Sequence, residues 1–374
     1  MADIVFKVFF GDKAATRDQL DRLEDITVEQ EQDVAWGASV KIPICTDEKD
    51  NWADADEKFF ASFSRVRVEI KVGDGPFTPL IDGPIVGADH TLSGEPGKSF
   101  ITLRVQDDSA YLNRKDDIQQ FTGMLDHEIA DQLFDKVPQI ANKQIDSTPA
   151  PPNNAPVVTQ RGTEMQVLRS LAERQGMHAY VLPGPSPGES IGCFKALPET
   201  VSSLPHLVLL GPDRNVEKFD AQVDAQSPAK VSATTIDAKN ISISQQTAAP
   251  ADLDPVGKQP EVGLVKEDDV AVHIAPPKHG DTVDLAQYVR SLVEKHAFGL
   301  TLSGKLLGEC YPGVLTPYQY VTVRGVNSKL SGYYLITKVT HTLSRAAYDQ
   351  SFTMRRKAFS RPSAGLLGAL ASIF

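Results

Sequence analysis

Cysteine is scarce: Cys45, Cys193 and Cys310 are the only three in 374 residues. The number is odd and the spacings match no metal-binding or redox motif, so a disulfide scaffold is excluded. The three are read as reduced thiols, buried or partly buried, of a chain made in a reducing cytoplasm. Basic runs are missing as well. Lys and Arg number 38 against 49 Asp and Glu, a formal net charge of −11. Such a chain has no general attraction for phosphate backbones, and no nucleic-acid partner is expected. No apolar run is long enough for a membrane span, so no membrane insertion is expected. MADIVFKVFF at the start carries Asp3 and no basic region before its apolar stretch; it reads as a strand, not a signal peptide. Aromatic residues are only 7% and lie mostly inside strand patterns, which weighs against a carbohydrate-binding module with aromatic loops.

Catalytic signatures are also missing. The eight histidines (His90, His127, His178, His206, His273, His279, His296 and His341) are scattered, with no pair at the spacing of a helical zinc site. His341 lies in a strand pattern and reads as a structural hydrogen-bonding side chain. The acid pairs Asp107–Asp108, Asp116–Asp117 and Asp268–Asp269 sit in polar sequence and read as solvated loop charge. They do not resemble the two carboxyls across a cleft that glycoside hydrolysis needs. No G-x-S-x-G elbow occurs, and GPSPG at Gly184–Gly188 reads as a turn. Phosphate-loop and dinucleotide motifs are absent too. The expectation is no enzyme, no cofactor and no metal. A cell-wall hydrolase is kept as the alternative.

The chain has much strand-type sequence. Gly332 to Arg356 is two runs of β-type sequence with a break at Arg345 to Ala347. Tyr333, Leu335, Thr337, Val339, His341 and Leu343 alternate with Tyr334, Ile336, Lys338, Thr340 and Thr342. That period of two predicts a hairpin with one buried face, following a strand over Tyr318 to Arg324. Toward the start, strands are expected at Ile4–Phe10, Leu23–Gln32, Ala38–Ile44, Arg65–Val72, Ile81–Ala88 and Phe100–Gln106. In Arg65–Val72 the valines and Ile70 point inward, with Arg65, Arg67, Glu69 and Lys71 outward. Short strands at this spacing predict a barrel or sandwich.

The middle changes character. Phe121, Leu125, Ile129, Leu133 and Val137 recur every four residues and predict a helix over Thr122–Val137, with Asp126, Glu128, Asp131 and Asp135 on its wet face. Thr163 to Gln175 is a second helix, with Thr163 and Gln166 as a capping box and Gly176 as its C-terminal cap. His178–Leu182, Ile191–Lys195 and Leu207–Leu210 follow as short strands. Val216–Asp224 and Lys230–Asp237 read as a strand pair, 245–280 as a linker or long loop, and Asp284–Ala297 as a third helix. The end, SAGLLGALASIF, has no charge. Leu366, Leu367, Leu370, Ile373 and Phe374 are candidate docking residues, because an apolar tail left in water is an aggregation hazard.

The segment L-S-G-Y-Y-L-I-x-x-V-x-H at Leu330–His341, followed by Tyr348 and a strand ending in Arg355–Arg356, resembles the C-terminal part of the phage late control protein D family. Val158–Gly176 and Phe219–Asp237 resemble two earlier segments of that family, in the same order. The family includes baseplate hubs of contractile phage tails, type VI secretion spikes and phage-like injection particles. The resemblance implies a mainly β fold: two related antiparallel β-barrels plus a small α/β domain. The expected divisions are a first barrel at 1–112, an α/β insertion at 113–215, a second barrel region at 216–358 and the tail at 359–374. It also implies a hub-only subunit, made in the bacterial cytoplasm and built into a tail or injection particle. Its partners would be two further copies in a homotrimer, a spike protein, the inner tube protein and other baseplate subunits. Three copies would present six barrels, adapting a six-fold tube to a three-fold spike.

Overall fold

A computed structural model describes residues 4–46, 52, 61–150, 157–227, 229–237, 242–250, 253, 270–275, 284–344 and 347–357. The fold is mainly β, with antiparallel sheets that curl around two separate cores.

The early half comprises β1 (Ile4–Phe10), β2 (Lys13–Ala14), α1 (Arg17–Asp21), β3 (Asp25–Glu31), β4 (Gly37–Pro43), β5 (Arg65–Val72), β6 (Thr78–Thr91) and β7 (Phe100–Gln106). Alternating burial along β3, β4 and β7 puts Ile26, Val28, Val40, Ile42, Leu103 and Val105 into one core with Val66, Val68 and Ile70 of β5. β6 pairs with β5 as far as Pro84 and with β7 from Ile85, and so carries the sheet around a corner. Gly83 is needed at that corner: a Cβ there would lie 1.8 Å from the Gln106 carbonyl oxygen.

The middle comprises α2 (Ser109–Leu112), β8 (Asp117–Thr122), α3 (Asp126–Phe134), β9 (Ile140–Ile145), β10 (Val157–Gly162), α4 (Glu164–Gln175), β11 (His178–Pro183) and β12 (Ser190–Lys195). The helix expected over Thr122–Val137 is shorter. Only its first residue, Thr122, belongs to β8, which pairs with β10; α3 starts at Asp126, and Phe121 is buried from the strand. The four-residue apolar spacing was a strand end followed by a helix. α4 matches the expectation: Thr163 Oγ1 accepts from the Gln166 N–H, and Gly176 closes the helix at φ 69°. β9 pairs in parallel with β12.

The late half comprises β13 (Leu207–Val208), β14 (Val216–Val223), β15 (Ala229–Asp237), β16 (Ser242–Ala248), β17 (Ala271–Ile274), α5 (Leu285–His296), β18 (Leu300–Leu306), β19 (Tyr320–Arg324), β20 (Gly332–Ser344) and β21 (Tyr348–Arg356). β14 and β15 do not pair with each other. β14 pairs with β18, which the sequence reading missed, and β15 sits between β16 and β17 under α5. The stretch expected as a linker at 245–280 therefore holds most of β16 and all of β17; much of the rest lies outside the described residues.

β20 joins the halves. Its first part pairs with β19 and its second part, from Lys338, with β3, giving one sheet that runs through both cores. The change of partner coincides with a bulge at Thr337. The bulge corrects the expected register. Tyr334, Ile336 and Val339 all face the late core, whereas Leu335 packs on the opposite side with Tyr320.

Candidate functional site: the contacts that lock the units together

The charged face of β5, expected to be wet, is covered. Arg67 is 1% exposed and Asp82 of β6 is 1% exposed. Arg67 Nε donates to Glu69 Oε1 at 2.7 Å, and Nη1 donates to Asp82 Oδ2 at 3.0 Å. The same guanidinium donates to the carbonyl oxygens of Gly184, Pro185 and Ser186. The Gly188 N–H donates to Asp82 Oδ2 at 3.0 Å. The turn GPSPG is thus a fastener: its backbone carbonyls satisfy an arginine of the early sheet. Burial pushes the Asp82 carboxyl up, against the downward pull of Arg65, Arg67 and the Gly188 N–H.

Arg65 extends the lattice. It donates to both oxygens of Asp108 at 2.8 Å and to Asp82 Oδ1 at 2.6 Å, and Ser190 Oγ donates to Asp108 Oδ2 at 2.6 Å. Burial alone would lower the Arg65 pKa, but these bonds more than reverse it. Asp107 and Asp108, expected as solvated charge, are both buried. Asp107 accepts from the N–H groups of Trp36 and Ser109, and burial pushes its carboxyl up to about 6. Asp116 and Asp117 are exposed, as expected, and Asp268–Asp269 lies outside the described residues.

A second contact set ties the middle unit to the late half. The rings of Tyr180 and Tyr318 stack at 3.8 Å, and Tyr318 Oη accepts from the Asp33 N–H at 2.7 Å. His178 Nδ1 lies 2.8 Å from Asp33 Oδ1. Inside the middle unit, Asp126 is buried against Arg174, whose Nε donates to it at 2.7 Å, and Gln175 donates to the same oxygen. The supposed wet face of α3 therefore loses Asp126, while Asp131 and Asp135 stay exposed and share Lys143.

A cleft of 530 Å³ opens where α4, β11, α5 and β20 meet, with Ala172, Met177, Leu197, Phe298 and Leu335 supplying its apolar surface. Charged groups from α4, α5 and β21 stand around it, among them Glu173, Glu294 and Arg355.

Chemically, these networks hold parts rigid. The buried carboxylates are spent on arginines or backbone N–H groups. Buried His341 bonds Tyr348 and Gln30, as a structural histidine should. Among the described residues no cluster of His, Cys, Asp and Glu could hold a metal ion, and no helix is long and apolar enough to cross a membrane. Cys193 is buried, whereas Cys45 and Cys310 are exposed rather than partly covered. The docking candidates Leu366, Leu367, Leu370, Ile373 and Phe374 lie outside the described residues. Sequence reading missed the β5 lattice because alternation reports which residues share a face, not what covers the polar one. The Pro- and Gly-rich GPSPG was the available signal of a shaped loop.

No family model matches the sequence, and no curated protein matches it. Solved structures do share its fold. A tail protein from Neisseria meningitidis aligns with TM-score 0.63 at 16% identity, over 95% of this chain and 97% of its own. A 43 kDa prophage tail protein from Shewanella oneidensis aligns with TM-score 0.63 at 12% identity, over 96% and 100%. A type VI secretion component of E. coli, described as structurally similar to T4 bacteriophage tail proteins, aligns with TM-score 0.53 at 13% identity, over 91% and 77%. At these identities the shared property is the fold.

Proposed function

We propose that this chain is a structural hub subunit of a contractile phage tail or a phage-like injection particle. Three copies form a ring that joins a six-fold inner tube to a three-fold central spike. The observation that carries the reading is the architecture. One chain supplies two curled sheets with separate cores, fused through β3 and β20 into a single body. A fold shared along nearly the whole chain with tail proteins supports the same reading, as does the likeness to a secretion-system component. The late control protein D resemblance of Leu330–Arg356 points the same way.

The role is mechanical, not enzymatic. A hub transmits load between tube and spike, and the buried arginine lattice suits that task by fixing the middle unit to the early sheet. Closed rings use a heterologous interface repeated until the rotation closes. The partners are further copies of the chain, the spike, the tube and neighbouring baseplate subunits.

The test is native mass spectrometry or cryo-EM of the protein assembled with its spike. The expected result is three copies per ring, with the early and late sheets in six near-equivalent positions. Six copies per ring, or early and late halves that do not superpose, would overturn the reading.

A further inference from the structure

We propose that the uncharged segment Ser363–Phe374 docks into its own chain's cleft between α4, α5 and β20. The inference goes beyond the hub reading and does not depend on it. The cleft holds 530 Å³ and is floored by Ala172, Met177, Leu197, Phe298 and Leu335. An engineered apolar cavity of about 150 Å³ takes up a benzene-sized ligand, so this cleft has room for roughly three apolar side chains.

The described chain leads to the rim of this cleft. Arg355, near the end of β21, lines it. Lys357, the last described residue, places its Nζ 3.3 Å from Glu294 Oε1, and Glu294 lines the cleft too. From Lys357 to Leu366 is nine residues, a reach of about 30 Å when extended. That is several times what a cleft of this volume requires.

The chemistry matches. Ser363–Phe374 carries Leu366, Leu367, Leu370, Ile373 and Phe374 and no charge. The charged groups at the rim are balanced among themselves, Glu173 by Lys295 and Glu294 by Lys357, so an uncharged occupant leaves none of these pairs broken. Tethering decides between copies. A short linker gives an effective concentration on the order of millimolar, far above that of free neighbours in dilute solution. The occupant is therefore the chain's own segment, not that of a second copy or of another protein.

A photo-crosslinking amino acid, p-benzoylphenylalanine, placed at Leu367 in the full chain tests this. The protein is crosslinked as a mixture of ¹⁵N-labelled and unlabelled molecules and mapped by mass spectrometry. The expected crosslinks join residue 367 to peptides from α4, α5 or β11, all within chains of one label. A second protein carries Ser170→Trp, an exposed substitution on α4 at the cleft, and its crosslink yield should fall several-fold. Crosslinks to other surfaces, crosslinks of mixed label, no crosslinks, or a yield unchanged by Ser170→Trp would each overturn the proposal. None of these outcomes bears on the copy number of the ring.

Discussion

Gln30 and His341 meet across the seam between the two halves, with Gln30 Oε1 3.2 Å from His341 Nε2. The rest of the chain of bonds fixes the tautomer. Gln30 Nε2 donates to the Leu80 carbonyl oxygen at 2.8 Å, so its Oε1 faces the imidazole as an acceptor. Nε2 must then carry the proton, which leaves Nδ1 to accept from Tyr348 Oη at 2.8 Å. Residues more than 300 positions apart thus complete one buried polar chain.

Because that imidazole is neutral and fully buried, its pKa is lowered to about 3 by desolvation. Above pH 6.5 it is neutral whether folded or not. Below that, the unfolded chain takes a proton that the fold refuses, so stability is lost as pH falls from 6.5 toward 3. At about 1.4 kcal/mol per unit, going from pH 7 to pH 5 costs about 2 kcal/mol. Asp107 acts oppositely: raised to about 6, it gains stability as pH falls through that value. The two terms partly cancel in the wild type. Urea unfolding of wild type and His341→Gln at both pH values separates them. The wild type's advantage over the variant should shrink by about 2 kcal/mol at pH 5. An unchanged gap would mean that His341 is charged in the fold.

Replacing Arg67 should be costly. Arg67→Met removes the donor to Glu69 and to the Gly184 and Pro185 carbonyls, leaves Ser186 O with only the Glu189 N–H, and leaves Asp82 with one arginine instead of two. Removing one member of a buried pair costs about 3–5 kcal/mol. Arg104→Met, which breaks the exposed pair with Asp89, should cost about 0–1 kcal/mol. Limited proteolysis adds a local readout: cleavage near residues 184–188 should accelerate in Arg67→Met and not in Arg104→Met.

Much of the fold was legible in the sequence, and the exceptions have physical causes. β5 and α4 lie where alternation and capping put them, because their signals are local. β18 was missed because LTLSGKL has a weak pattern, with Gly304 inside it. That glycine is there for packing: a Cβ would sit 2.5 Å from the Lys218 carbonyl oxygen. The pairing of β14 with β18 rather than β15 is set by tertiary contacts that no turn motif announces. Of the site, the strand carrying Arg65 and Arg67 was found but its polar face was assigned to solvent. The partners that neutralise it, Asp108 and the 184–186 carbonyls, are supplied by residues 43–119 positions away.

Purified protein should not cleave peptidoglycan. A glycosidase needs a carboxylic acid and a carboxylate facing a sugar. Asp82, Asp107, Asp108 and Asp126 are buried and bonded within the protein instead. A turbidity or muropeptide assay should match the blank. Lysis that disappears in Asp107→Asn would reverse this expectation.

The bulge at Thr337 is the feature most easily tested against an uninterrupted strand. If alternation ran unbroken through β20, with Leu335 and Val339 inward, Ile336 would face outward. Replacing it would then change stability by no more than about 0.5 kcal/mol. With the bulge, Ile336 is fully buried beside Tyr334, Val339 and Met354. Ile336→Ala should therefore cost about 2–5 kcal/mol, the range for a core isoleucine cut to alanine. Thr342→Ala, at an exposed position of the same strand, serves as the control and should be near neutral. Val339→Asp should not yield soluble folded protein, because it buries a carboxylate in the late core. Leu335→Ala should act elsewhere. Leu335 packs with Tyr320 and Phe298, so its loss should leave the late core intact and loosen the contact toward α5. Hydrogen exchange resolves the two sites. Ile336→Ala should raise exchange through β18 and β21, and Leu335→Ala in residues 297–299 and β19. If the two variants gave the same pattern, Leu335 and Ile336 would share one environment and the bulge would be misplaced.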